Sequence, residues 1–291
     1  MTKNNLGVSK RPYHFKPFEE LDFSDDFMFK KVMSNKEICA GVIERLLKVR
    51  VASIEYPELQ KEIAPYYTSK GVRLDVYVKD SDRVFDIEMQ TVKFDEIGKR
   101  TRYYQSMIDI DDLMKGANYL ELKESYVIFI CKDSPFEGFD LPVCTFKNVC
   151  LENSAVELGD KSHKMIYNAS AYEKENDEEL KTFLRFVCKG SAEDNFTERI
   201  KALIAKAKET EANKTEYMAV NLHDFDIQWA AKKEGAMEKA IETARNFLFM
   251  GLSAEQVSEG TALPLETVKK LQSELALATQ SAKGNASLGK D

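Results

Sequence analysis

The first strong pattern in the chain is helical. Starting at Asp25 or Ser24, the segment DDFMFKKVMSNKEICAGVIERLLKV sets Phe29, Val32 and Met33, then Ile38, Val42, Leu46 and Val49, at helical spacing. The Ser34-Asn35 pair offers a break into two helices. Three strand segments follow, at roughly 51–63, 72–79 and 83–90. The second reads GVRLDVYVKD and the third RVFDIEMQT, with the turn-like Asp80-Ser81-Asp82 between them. A helix is predicted over about 95–115. Next, ESYVIFICKD at 124–133 is a short apolar run bounded by charge, the mark of a buried strand. Further strands are predicted at 141–151 and 163–168. Helix, three strands, helix, strand is the order of an α/β domain with a mixed sheet flanked by helices.

From about residue 171 the texture changes, and Glu, Lys and Ala recur at helical period through about 249. A boundary is therefore placed near Asn168. The predicted organisation is a flexible arm over 1–17, the α/β domain over 18–170, a helical extension over 171–250, a small helix-turn-helix-like element over 251–278 and a disordered tail over 279–291. In the small element Ser253 suits an N-cap and Pro264 the first turn of a second helix. A helix that reads the major groove should be basic. Residues 240–291 hold five basic and six acidic side chains, so packing or assembly suits the element better. The 196–250 helices could support a homodimer.

Composition narrows the class. The charged fraction of 31% and hydrophobic fraction of 43% are those of an ordinary globular protein. No apolar run of about 18 residues predicts a membrane span, and the polar N-terminus does not resemble a secretory signal. Five cysteines without a CxxC pair read as reduced residues of a cytoplasmic protein. His14, His163 and His223 are too scattered for a zinc site. There is no P-loop and no dinucleotide-binding glycine pattern, so no small-molecule cofactor is expected. A net charge of −7 argues against holding nucleic acid by bulk electrostatics, yet it leaves room for a local basic cleft.

The candidate chemistry lies on the second and third strands. With Ser81 and Asp82 as a two-residue turn, Asp80 pairs with Arg83, and by the same index sum Asp75 falls opposite Glu88 and Arg73 opposite Gln90. Such a register sets the two carboxylates roughly 4.5–5.5 Å apart at Cβ, with Gln90 on the same face as Glu88. Facing carboxylates repel unless a cation lies between them. Hard oxygen ligands suit Mg²⁺ or Mn²⁺, which bind through one or two carboxylates plus a substrate phosphate. The plain alternative is the charged outer face of an ordinary hairpin.

Asp26-Phe27-Met28-Phe29-Lys30 on the first helix, Arg73-Leu74-Asp75-Val76, Ile87-Glu88-Met89-Gln90 and Arg100-Thr101-Arg102-Tyr103-Tyr104 together resemble the PD-(D/E)XK nuclease superfamily, and within it the nuclease-family transposases or recombination-promoting nucleases of bacteria. The likeness spans roughly residues 20–250. It implies a restriction-endonuclease-like αβββαβ core and a metal-dependent DNA endonuclease associated with mobile elements or recombination. By that resemblance Asp75 and Glu88 are the metal ligands, and Gln90 stands where the superfamily has lysine. Asp26 matches the helix acid that supports the site; as a residue of the first turn it also reads as a simple helix-start acid, with Asp25 as competitor. Arg73, Arg100, Arg102 and Tyr104 are the expected DNA contacts. The rival readings are a catalytically silent DNA-binding or regulatory protein that keeps the fold, and an adaptor built on the helical half.

Overall fold

The computed structural model describes residues 16–275 apart from 52–53, 55–56, 65–70 and 94–95. The predicted tail, and the predicted arm up to residue 15, lie outside the described residues. The chain divides into two compact units, residues 1–217 and 218–291.

In the first unit, α1 (Asp26–Met33) and α2 (Lys36–Leu47) divide at Ser34-Asn35 as the sequence suggests. The Asn35 side chain caps α2 by accepting from the Ile38 N–H. Strands β1 (Glu58–Ile63), β2 (Val72–Lys79) and β3 (Arg83–Gln90) form an antiparallel meander. Helix α3 (Ile97–Asp112) then crosses over to β4 (Glu124–Cys131), which runs parallel to β3. With β5 (Val143–Phe146) and β6 (Ser162–Asn168), the mixed six-stranded sheet has the order β1-β2-β3-β4-β6-β5. The fold class is that expected: mixed α/β, with helices against the sheet.

The sheet carries two cores. One collects α1, α2, α4 (Glu178–Lys189) and α5 (Asn195–Lys208) against Phe85, Ile87, Met89, Ile128 and Ile130. The other collects α3 against Val84, Val127 and Phe129. Fully buried side chains such as Phe29 and Phe183 each contribute roughly 1.5–3 kcal/mol. Gly41 admits the Phe196 ring between α2 and α5, where a Cβ would meet ring carbon Cε2 at 2.3 Å.

Helices α4 and α5, beyond the last strand, pack within the first unit. Residue 168 ends the last strand, whereas Leu180, Phe183, Leu184 and Ile200 complete the first core and the compact unit runs to Tyr217. The 39-residue helix α6 (Glu211–Phe249) leads into the second unit. There α7 (Ala254–Thr261), capped by Ser253, and helical residues 265–275 close a small core with Val257, Leu263 and Val268. The Pro264 carbonyl accepts from the Val268 N–H, so Pro264 opens the second helix as expected. Among the described residues no helix is long and apolar enough to cross a membrane.

Candidate active site

The site is built where strand pairing stops. The β2–β3 register is the one counted from the turn: the Asp80 N–H donates to the Arg83 carbonyl at 2.9 Å, and Val76 pairs with Ile87. Beyond that pair the ladder ends, one step before Asp75 and Glu88. Side chains replace backbone there. The Asp75 N–H donates to Glu88 Oε1 at 2.8 Å, and the Asp75 carboxylate takes a bond from the Met89 backbone. The two acids are therefore laced into the splayed strand ends, and do not simply face each other across a regular ladder.

A second irregularity meets Asp75 from the other side. Val76 pairs with Leu59 and Leu74 with Lys61, while Gln60, opposite Asp75, is left out of the pairing with a positive φ of 56°. That backbone state costs a non-glycine residue energy and draws attention to sites under constraint. Alternation breaks at the same level. Val72 and Leu74 belong to the α3-side core, while Val76 and Val78, of the same parity, belong to the opposite core. A regular strand keeps one parity on one face. Asp75 thus occupies the point where β2 turns over, which aims its carboxylate toward α1 as well as toward β3.

Two cations flank the acids. From α1, Lys30 Nζ lies 3.0 Å from Asp75 Oδ1 and 2.6 Å from Asp26 Oδ1. From α3, Arg100 donates to Gln90 Oε1 at 2.7 Å and to the Tyr104 hydroxyl at 3.1 Å, and stands 3.5 Å from Glu88 Oε2. Its guanidinium also lies over the Phe129 ring. Burial pushes the Glu88 carboxyl up to about 8, and the neighbouring Asp75 charge adds to the shift. Asp75 is raised by burial and partly restored by Lys30.

Asp86 is a third acid in the same place, and the sequence reading missed it. It lies two residues from Glu88 on the same face, so strand parity was the signal that could have found it. The side chain is fully buried and neither oxygen has an ordinary donor. Burial first, then the charges of Glu88 and Asp75, hold its pKa well above the carboxylate range. Lys30 was likewise overlooked, although it stands one helical turn after Asp26.

The expected DNA contacts separate into two groups. Arg100 and Tyr104 belong to the acid network. Arg102 and Arg73 are exposed; Arg73 stands in register with Glu62 of β1, and the β2–β3 ladder stops short of a 73–90 pair. Beside Gln90 a small pocket is lined by Lys93, Ile97, Cys131 and Pro135. Asp26 does not touch Glu88; its contact is Lys30, and Asp25 instead binds Lys16 at 2.5 Å. All five cysteines are unpaired, with Cys39 and Cys131 buried and the rest half-buried.

No group of three or more His, Cys, Asp or Glu among the described residues forms a metal cage. The donor chemistry still fits a hard divalent ion, because such ions retain waters and need only one or two protein carboxylates. Asp75 and Glu88 supply those, and a cation between them would favour the ionised carboxylates that burial now disfavours.

Comparison with curated proteins gives no match, and neither does comparison with solved structures. A sequence model of the family described as "PD-(D/E)XK nuclease family transposase" matches residues 23–251, well over half the chain and including every residue of the site. The chain belongs to that family of PD-(D/E)XK nucleases.

Proposed function

We propose that the protein is a divalent-metal-dependent DNA endonuclease acting on phosphodiester bonds in the context of mobile elements or recombination. The observation that carries this reading is the Asp75–Glu88 pair, joined at the end of the β2–β3 ladder and flanked by Lys30 and Arg100. Asp75 and Glu88 would hold Mg²⁺ or Mn²⁺. When bound, such an ion polarises the scissile phosphate and lowers the pKa of an attacking water.

The remaining work falls to the chain's own side chains. Gln90 is neutral, so it orients water through its amide and adds no charge; Arg100 fixes that amide from α3. Arg100 brings charge to the phosphate side of Glu88. The exposed Arg73 and Arg102 serve the backbone of incoming DNA. The unpaired cysteines go with a reducing, cytoplasmic setting.

A second reading has its own observation. Asp75 is ion-paired to Lys30, and Gln90 replaces the motif lysine, as in a fold kept for DNA binding without turnover. Plasmid nicking in Mg²⁺ or Mn²⁺ decides between the two. The nuclease reading expects nicking by the wild type and at least about a hundredfold less by Asp75→Ala and Glu88→Ala. Equal rates for all three would end it. Salt-sensitive DNA binding in Ca²⁺ would then favour the silent binder.

A further inference from the structure

Lys30 is a cation placed on an acid that a metal is expected to claim. Its side chain is only 9% exposed, and it divides its ammonium between Asp75 and Asp26. The two partners differ in kind. Asp75 is deep in the site, whereas Asp26 is 60% exposed and sits on the same helix, one turn earlier. The Asp26–Lys30 pair is thus internal to α1 and does not depend on Asp75.

Gln90 makes this arrangement consequential. The position where the superfamily resemblance places lysine holds a neutral amide, whose oxygen is engaged by Arg100. An ammonium group already stands on the opposite side of the same carboxylate pair.

We infer that Lys30 supplies the cation that Gln90 cannot: it neutralises Asp75 until a divalent ion takes that carboxylate, and then, still tethered to Asp26, faces the phosphate. The second half rests on the nuclease reading; the competition for Asp75 stands without it. Two cations on one carboxylate oppose each other, so removing Lys30 must tighten metal binding even as it slows cleavage. A merely structural lysine would do the reverse on the first count, because disordering Asp75 weakens the metal.

The test is Mn²⁺ titration by calorimetry at pH 8 on the full chain, paired with plasmid nicking. Lys30→Met is expected to bind Mn²⁺ about tenfold more tightly than wild type and to nick at least about a hundredfold more slowly. Lys30→Gln is a second neutral variant, so the result does not depend on how one side chain fits. Lys30→Arg keeps the charge and is expected to hold Mn²⁺ affinity within about threefold, with part of the nicking restored. Unchanged or weaker Mn²⁺ binding in both neutral variants overturns the competition. Tighter binding with undiminished nicking overturns the phosphate role. Should the wild type nick nothing, the nuclease reading and the phosphate role fail together, and the Mn²⁺ comparison still decides the competition.

Discussion

Glu88 Oε1 accepts the backbone N–H of Asp75 at 2.8 Å, on the far side of the last paired residues of the hairpin. The bond explains how two acids can be buried side by side without a cation between them. One carboxylate oxygen replaces the carbonyl that the ladder would have offered, so the Asp75 N–H is not orphaned. The cost is electrostatic, and it is concentrated on Glu88, Asp75 and Asp86.

That cost makes stability depend on pH and metal together. In the folded protein Glu88 keeps its proton up to about pH 8, while the unfolded chain releases it near 4.3. The native state therefore binds more protons across that window, and stability falls as pH rises through it. Melting curves between pH 5 and 8 should show this decline. Mn²⁺ or Ca²⁺ added at pH 8 should raise Tm by several degrees in wild type, and leave the Asp75→Asn/Glu88→Gln double variant unmoved. An equal rise in that variant would place the metal elsewhere.

Gln90→Lys, which recreates the superfamily lysine, should impair the protein. Arg100 donates to Gln90 Oε1 at 2.7 Å, and an ammonium there would meet the guanidinium with no acceptor. Like charges at that distance cost on the order of 1 kcal/mol even in a solvated setting. Nicking is expected to fall by about tenfold, where a simple motif repair would raise it. A rate gain in the variant would show that Arg100 can turn away freely.

Arg100→Met should cost more than its partial exposure suggests. The variant keeps some of the contact over Phe129 but loses the bonds to Gln90 and Tyr104 and the charge beside Glu88. Nicking should drop by about 10²-fold, with Arg100→Lys recovering a small part because ammonium lacks the fork geometry. Measured kcat and KM separate the roles: a change confined to KM would make Arg100 a DNA contact without a part in the acid network.

The hairpin was the most legible part of this site. The two-residue turn fixed the register at Val76–Ile87, and that register carried Asp75 and Glu88 to the same strand end. What lay beyond local pattern was the third dimension. Lys30 is 45 positions before Asp75, and nothing in the helical period of α1 says that its ammonium reaches a strand end. Gln60 carries no glycine or asparagine signal for a left-handed backbone, so the turnover of β2 opposite it was invisible. The amphipathic faces of α4 and α5 were readable, but not their partner. They dock against α1 and α2, inside a compact unit that runs to Tyr217.

Asp86 offers a test of how the fold carries its crowded acids. Its carboxyl is fully buried, has no ordinary donor, and holds its proton far above the usual range because of burial and the Glu88 charge. Asp86→Asn keeps the shape and keeps a donor toward Glu88, the amide N–H standing in for the carboxyl O–H. The variant also removes a group that ionises only in the unfolded chain. It should therefore be more stable by about 1–3 kcal/mol at neutral pH. The gain should grow as pH rises from about 4, because each unit of pH in that window favours the unfolded wild type, whose Asp86 releases its proton. Urea unfolding at pH 5 and pH 8 reads both quantities. A gain equal at the two values would mean that Asp86 is ionised in the native state, with its charge balanced by Arg100 or Lys30.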